Sequence, residues 1–111
     1  MKAIALNKPT RVNLAQHAFW NPGGSDILHH YIQIFRSRIT PVNSQLIPTG
    51  KIAPVKQTPY DFSSPQTIKS RIKKLPNGYD INYVLNGYKG DRVLKKAAVM
   101  HEKKSGRVLE L

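Results

Sequence analysis

Short apolar runs separated by proline and glycine recur along the chain, and this pattern predicts an all-β fold with many loops. The sequence places 8 prolines and 7 glycines among 111 residues. The clearest period-two alternation lies at 31–35, where Ile32 and Ile34 would face one side of a strand and the residues between and beside them the other. We therefore expect a strand there as part of an antiparallel sheet.

The same pattern predicts further elements. Pro41 would confine the strand at 39–42 to a sheet edge or a bulge, and prolines 48, 54 and 59 make 43–64 a long loop with one or two brief extended pieces. Ile68, Ile72 and Leu75 share one face of the only helix candidate, at 65–75. The remaining predicted strands are 12–17, 81–85, 93–100 and 107–111; the last three would form a meander, with a turn at Asn86-Gly87 and another at 103–106.

Length and composition limit the classes of protein. A chain of 111 residues suits one domain at most and a modest core. There are no cysteines, which excludes disulfides and thiolate metal sites. No apolar run approaches the roughly 20 residues that span a bilayer, and the start is too soon interrupted for a signal peptide. We expect no membrane partner and a cytoplasmic location.

The net charge of +12 raises the alternative of a basic nucleic-acid-binding protein. No ribonucleoprotein motif, GXXG clamp or zinc-finger spacing accompanies the charge. We favour solvated faces of strands and turns over a nucleic-acid interface. The basic residues cluster at Lys69, Arg71, Lys73 and Lys74, at Lys89, Arg92, Lys95 and Lys96, and at Lys103, Lys104 and Arg107.

Several segments carry a more specific pattern. One is Asn13-Leu14-x-x-His17-x-Phe19-x-Asn21 and another is Gly78-Tyr79-Asp80-x-Asn82-Tyr83. Together with 40–42, 46–52, 58–62 and 104–111 they resemble, in order and rough spacing, the aldose 1-epimerases (galactose mutarotases) in the plant-like form of that family. The likeness runs from about Ala3 to Leu111.

The resemblance implies a fold and an activity. The fold would be an incomplete part of a galactose-mutarotase-like β-sandwich, or supersandwich. Residues 1–111 would be a single partial domain, a central piece of a longer family pattern. The activity would be that of an isomerase interconverting the α and β anomers of hexoses such as glucose or galactose. The partner would be a small-molecule sugar, with no metal or organic cofactor.

Mutarotation needs a proton donor and an acceptor on opposite sides of the sugar. By resemblance, His17 is the catalytic acid that protonates the ring oxygen, and Asp80 is the substrate-binding carboxylate that accepts protons from sugar hydroxyls. The alternative for His17 is a surface histidine with a satisfied hydrogen bond. The alternative for Asp80 is a turn aspartate that caps its own backbone.

Other features limit these expectations. The family base is a glutamate without a counterpart here, because Glu102 and Glu110 lie in segments that do not match it. The intrinsic activity is therefore in doubt, and a non-catalytic carbohydrate-binding or interaction module is the alternative. Exposed strand edges predict marginal stability and self-association.

His29 and His30 would point to opposite faces of a strand, so we expect no shared metal ion.

Overall fold

The computed structural model describes residues 1–85 and 93–111, and the predicted turn at Asn86-Gly87 lies outside them. The described part is almost entirely β-structure and loop, which confirms the predicted all-β class. Its elements are β1 (Tyr31–Ile34), β2 (Arg38–Thr40), β3 (Ala53–Pro54), β4 (Gln66–Thr67), α1 (Lys69–Ile72), β5 (Asn82–Tyr83), β6 (Ala98–His101) and β7 (Val108–Glu110).

The larger sheet has four antiparallel strands in the order β4-β1-β6-β7. Ile32 of β1 lies opposite Met100 of β6, which in turn lies opposite Leu109 of β7. The predicted strands near 31–35 and 107–111 are confirmed with shorter bounds, and β6 begins only at Ala98. Gly106 has φ +70° in the β6–β7 connection, a left-handed conformation that glycine adopts without strain.

The smaller sheet has the order β3-β2-β5, and it corrects two predictions. First, β2 is the central strand and not an edge, because Pro41 lies just past its end and so removes no donor from the ladder. Second, β5 pairs with β2, so 81–85 does not form one meander with β6 and β7. Pairing to a sequence-distant strand is not encoded in the local alternation.

The buried core lies next to and within the long loop region at 43–64. Ile39, Val55, Phe62 and Ile68 are the buried apolar residues of the described ranges. Backbone bonds tie this loop to both sheets, since Ile34 donates to the Phe62 carbonyl at 2.8 Å and Val55 donates to the Ser37 carbonyl at 2.9 Å. The loop is thus supported by the strands on either side of it, as loops of that length require.

The helix is shorter than predicted. Of the candidate at 65–75, only Lys69–Ile72 is α-helical, and Gln66–Thr67 instead forms β4 beside β1. The ladder bonds to β1 outweigh the helical preference of those two residues. The predicted apolar face nevertheless holds in part, because Ile68 is buried while Ile72 and Leu75 are half-buried.

The N-terminal segment, residues 1–21, is exposed along its whole length and contains no strand, so the predicted strand at 12–17 is wrong. No described strand pairs with this segment, and a strand without ladder bonds gains too little to form. A hydrogen bond connects the residue that follows this segment to the larger sheet: Arg107, next to β7, donates from Nη1 to the Pro22 carbonyl at 2.9 Å. No helix among the described residues is long and apolar enough to cross a membrane.

Candidate functional site

Asp80 lies, exposed, at two clefts of about 270 and 290 Å³ that also share Val42 and Leu46. The first cleft runs past Ser44 and Asn77. The second runs past Thr40 and Asn82. We call the two together the Asp80 cleft. Its chemistry combines one carboxylate with hydroxyl, amide and apolar side chains, a set that suits a neutral ligand carrying several hydroxyl groups.

The backbone around Asp80 is fixed by an aromatic cluster. The ring of Tyr79 meets Phe62 edge-on at a centroid distance of 5.2 Å and Tyr60 at 6.3 Å. Phe62 is only 3% exposed, so the half-buried Tyr79 packs one side of its ring against the core. Gly78 has φ +68°, which lets the chain turn immediately before Tyr79. Asp80 is consequently held at the cleft by its preceding neighbour.

A hydrogen bond from Tyr83 reinforces this cluster. The Tyr83 hydroxyl donates to the Tyr60 carbonyl at 2.6 Å, joining β5 to the long loop. Burial raises the pKa of Tyr83 well above its ordinary value, and nearby Tyr79, Tyr60 and Asp61 add to the rise. The phenol therefore stays protonated, and it remains a donor, at every pH near neutrality.

Arg71 holds the part of the long loop that carries Tyr60 and Phe62. Its Nη1 donates to the Thr58 carbonyl at 3.1 Å and to the Asp61 carbonyl at 3.0 Å. The Asp61 carboxylate in turn accepts bonds from the hydroxyl and the backbone N–H of Ser63. Those bonds, the hydroxyl's first, lower the pKa of Asp61, and the Arg71 charge adds to the effect. Hydrogen bonds therefore hold the chain on both sides of Tyr60, at Thr58 and at Asp61.

His17 occupies a different environment. It lies on the exposed N-terminal segment, and its ring contacts Phe19 at a centroid distance of 5.0 Å with a 47° tilt. It lines neither part of the Asp80 cleft. Among the described contacts none joins His17 to Asp80, so these residues are not brought together. The acid role of His17 and the sugar-anchor role of Asp80 stay predictions.

His30 and Glu102 form a second group of polar side chains, to which the sequence assigned no chemistry. His30 is 2% exposed and Glu102 is 8% exposed, and both line a cavity of about 390 Å³. Glu102 accepts backbone N–H bonds from Lys104 at 2.9 Å and Ser105 at 2.6 Å. The Lys104 bond, followed by those of Ser105, lowers the pKa of Glu102 to about 2.

The local sequence offers a signal for only one of these two. A glutamate followed by Lys-Lys-Ser-Gly fits an acceptor that caps the backbone of a turn, so the role of Glu102 was readable. The burial of His30 depends on β1, β4 and the β6–β7 turn meeting, which no local pattern encodes. Within residues 1–85 and 93–111, no group of three or more His, Asp or Glu side chains could hold a metal ion.

Comparisons with known proteins assign a family. The family model described as aldose 1-epimerase matches residues 1–111. The galactose mutarotase of Bos taurus is 36% identical over 109 residues, and that of Homo sapiens is 35% identical over 109 residues. The aldose 1-epimerase of Streptococcus thermophilus is 32% identical over 111 residues.

The matches cover nearly all of this chain and a minor part of its relatives. The two mutarotase matches cover 95% of the chain and 31% of each relative. The streptococcal match covers 99% of the chain and 31% of that protein. The crystal structure of the GalM/aldose epimerase homologue from C. elegans is similar with a TM-score of 0.70 and 25% identity, over 85% of this chain and 29% of that one. The expected mutarotase-like β-fold is thus confirmed.

Proposed function

Because the chain belongs to the aldose 1-epimerase family, we propose that it serves in the interconversion of α and β hexose anomers. In this proposal the Asp80 carboxylate anchors sugar hydroxyls and the His17 imidazole donates a proton to the ring oxygen. The observation that carries it is the Asp80 cleft, where an exposed carboxylate lies among hydroxyl and amide side chains.

The chemistry requires two proton transfers on a bound hexose. A base removes the proton of the anomeric hydroxyl, and an acid protonates the ring oxygen as the bond from that oxygen to the anomeric carbon breaks. The open-chain aldehyde rotates, and the reverse transfers close the ring on the other face. An imidazole suits the acid role because it titrates near neutral pH. No cofactor takes part in the proposed steps.

The base does not come from either glutamate of the described sheet. Both carboxylate oxygens of Glu102 are occupied by turn N–H groups, and its pKa of about 2 makes it a weak proton acceptor. Glu110 is bound to the Lys96 ammonium at 2.7 Å on β7. The proposed reaction therefore takes its base from a group other than Glu102 and Glu110, while His17 supplies the acid and Asp80 the sugar anchor.

Polarimetry tests the proposal. Freshly dissolved α-D-glucose or α-D-galactose is followed to anomeric equilibrium with and without the chain. We expect acceleration that falls about 100-fold or more in His17→Asn, because general acids contribute about 10²–10⁴-fold. Gln16→Ala, an exposed neighbour on the same segment, is the matched control and should keep the wild-type rate. A rate equal to buffer alone would refute catalysis by this chain.

A second candidate is a carbohydrate-binding module without catalysis. The specific observation in its favour is that His17 lies on an exposed segment, apart from the cleft that holds Asp80. The two candidates differ in one outcome. A module binds hexose at the Asp80 cleft without accelerating anomer exchange, whereas a mutarotase does both.

Two further proposals concern the setting of the protein. We propose a cytoplasmic location, supported by the absence of cysteine from the sequence. We also propose self-association through strand edges, supported by β7, an edge strand whose Val108 is 58% exposed. Sedimentation across a concentration series tests the second, with a constant monomer mass as the opposing result. We propose no nucleic-acid partner.

A further inference from the structure

A cavity of about 390 Å³ opens beside the β6–β7 turn and shares no lining residue with the Asp80 cleft. It lies between the Gly23-Gly24 turn on one side and Glu102 and Lys103 on the other. The cavity is larger than either part of the Asp80 cleft. Its volume falls at the low end of the range for small-molecule sites, about 300–1,000 Å³.

The feature that points to a ligand is His30. Its side chain is 2% exposed and lines this cavity, yet neither Nδ1 nor Nε2 has a hydrogen-bond partner in the described chain. A buried polar group left unpaired costs about 1–3 kcal/mol. The backbone does not let the residue swing away, because His30 N–H donates to the Ile27 carbonyl and the His30 carbonyl accepts from Ile68. The ring therefore stays at the wall of the cavity with both nitrogens unpaired.

The acids beside His30 are already engaged by backbone. Glu102 accepts the N–H groups of Lys104 and Ser105, and Asp26 Oδ1 accepts the N–H of Leu28 at 2.8 Å. Neither carboxylate is a hydrogen-bond partner of the imidazole in the described chain, although an electrostatic interaction with His30 also lowers the pKa of Glu102. The His30 nitrogens are left for a molecule that enters the cavity.

Charge narrows the class of that molecule. Two carboxylates, Asp26 and Glu102, and two ammonium groups, Lys103 and Lys104, line the cavity, so their formal charges cancel. Lys103 Nζ lies 4.2 Å from the centroid of the Tyr31 ring and is directed at that ring. The lining selects neither an anion nor a cation. A hydroxyl both donates and accepts, so it is able to pair with an imidazole nitrogen whether or not that nitrogen carries a proton.

We propose that this cavity binds a small neutral polyol, of the size of a monosaccharide, through hydrogen bonds to the His30 ring. The site is separate from the Asp80 cleft and does not depend on the proposed mutarotation. Because the two ring nitrogens point in nearly opposite directions, pairing with both of them takes two hydroxyls from opposite sides of the polyol.

The test uses methyl α-D-glucopyranoside, whose anomeric carbon is locked so that no mutarotation takes place. The ¹⁵N-labelled chain is titrated with this glycoside while the ring nitrogens of His30 and the backbone amides at 23–31 and 102–104 are observed. We expect saturable shifts at these positions. His30→Phe should weaken them about tenfold or more, since both hydrogen bonds are lost.

Two variants separate this site from the Asp80 cleft and from loss of folding. Asp80→Asn should leave the shifts at 23–31 and 102–104 unchanged. Gly23→Ala keeps His30 but narrows the opening, because its Cβ would lie 3.4 Å from Ser105 Oγ and 3.5 Å from Glu102 Oε2; binding should weaken. The proposal would be overturned if the His30 signals show no saturable shift. It would also be overturned if Asp80→Asn abolishes the response.

Discussion

Two of the segments that carry the family pattern, those of His17 and Asp80, differ in how the chain holds them. Asp80 follows a tyrosine packed on Phe62, in a region tied by the bond from Tyr83 to the Tyr60 carbonyl. His17 lies on a segment that is exposed throughout, and its ring contacts Phe19, a close neighbour in sequence. Equal resemblance in sequence thus accompanies unequal support in structure.

The difference shows where placement comes from. The contacts that hold Asp80 join sequence-distant residues through aromatic packing and a hydrogen bond, and both supports lie within the described chain. The segment that bears His17 has no strand partner there. A motif specifies which side chain is present, whereas long-range packing specifies where that side chain lies. We therefore expect substitutions in the two regions to differ sharply in effect.

The largest contrast is expected between two phenylalanines. Phe62→Ala removes a side chain that is 3% exposed and supports Tyr79, so it should cost about 3–5 kcal/mol of unfolding free energy. Phe19→Ala removes one that is 87% exposed and should change it by less than about 0.5 kcal/mol. Urea denaturation measures both. If Phe62→Ala leaves no folded chain, Phe62→Leu gives the graded value. Equal costs at 62 and 19 would contradict the contrast.

A smaller loss is expected at Tyr83. Tyr83→Phe deletes the donor to the Tyr60 carbonyl and should cost about 1–2 kcal/mol of unfolding free energy. Because the folded pKa of Tyr83 is raised, its stabilisation is full below the ordinary tyrosine value, about 10, and is lost as pH rises above it. The variant should therefore lose stability less steeply above pH 10.

Tyr31→Phe is the matched control for that variant. The Tyr31 hydroxyl has no described hydrogen bond, and its ring keeps the Lys103 contact after the change. We expect a shift in the midpoint of denaturation below that of Tyr83→Phe. A Tyr83→Phe protein as stable as wild type at every pH would remove the proposed support for Asp80.

The smallest effects are expected on the acid side. The folded pKa of Glu102, about 2, lies below the ordinary value of 4.5, so its stabilisation is complete above pH 4.5 and is lost as pH falls towards 2. Glu102→Gln should flatten the loss of stability in that window. Glu110→Gln, on an exposed carboxylate paired with Lys96, should leave the acid slope nearly unchanged. Identical slopes in both variants would count against the turn cap.

The sequence predicted element types better than their partners. Alternation at 31–35 anticipated β1, and the turn at 103–106 anticipated the hairpin of β6 and β7. The sequence did not predict the central position of β2 or the pairing of β5 with β2, since a strand's place in a sheet depends on pairing between distant residues. Residues 12–17 alternate weakly and stay outside both sheets. The local pattern indicates which element a segment is able to form, but a strand forms only where a partner strand is present to pair with it.

The candidate site followed the same rule. The resemblance named Asp80 in a motif that includes Asn82, and the structure adds a cleft with Val42 and Leu46, which no local pattern near Asp80 indicates. His30 was visible in the sequence, but its burial was not, because that burial arises where β1, β4 and the β6–β7 turn meet. Chemistry that depends on burial is the part that sequence reasoning missed.

The sugar contact at Asp80 is tested most directly by titrating the ¹⁵N-labelled chain with D-galactose and observing the backbone amides at 40, 42–47 and 77–82. We expect saturable shifts there, with an affinity that falls about tenfold to a hundredfold in Asp80→Asn, because a hydrogen bond to a charged group contributes about 1.5–3 kcal/mol. Glu110→Gln should bind as wild type does. Saturable shifts that persist unchanged in Asp80→Asn, or no shifts at these amides at all, would contradict it.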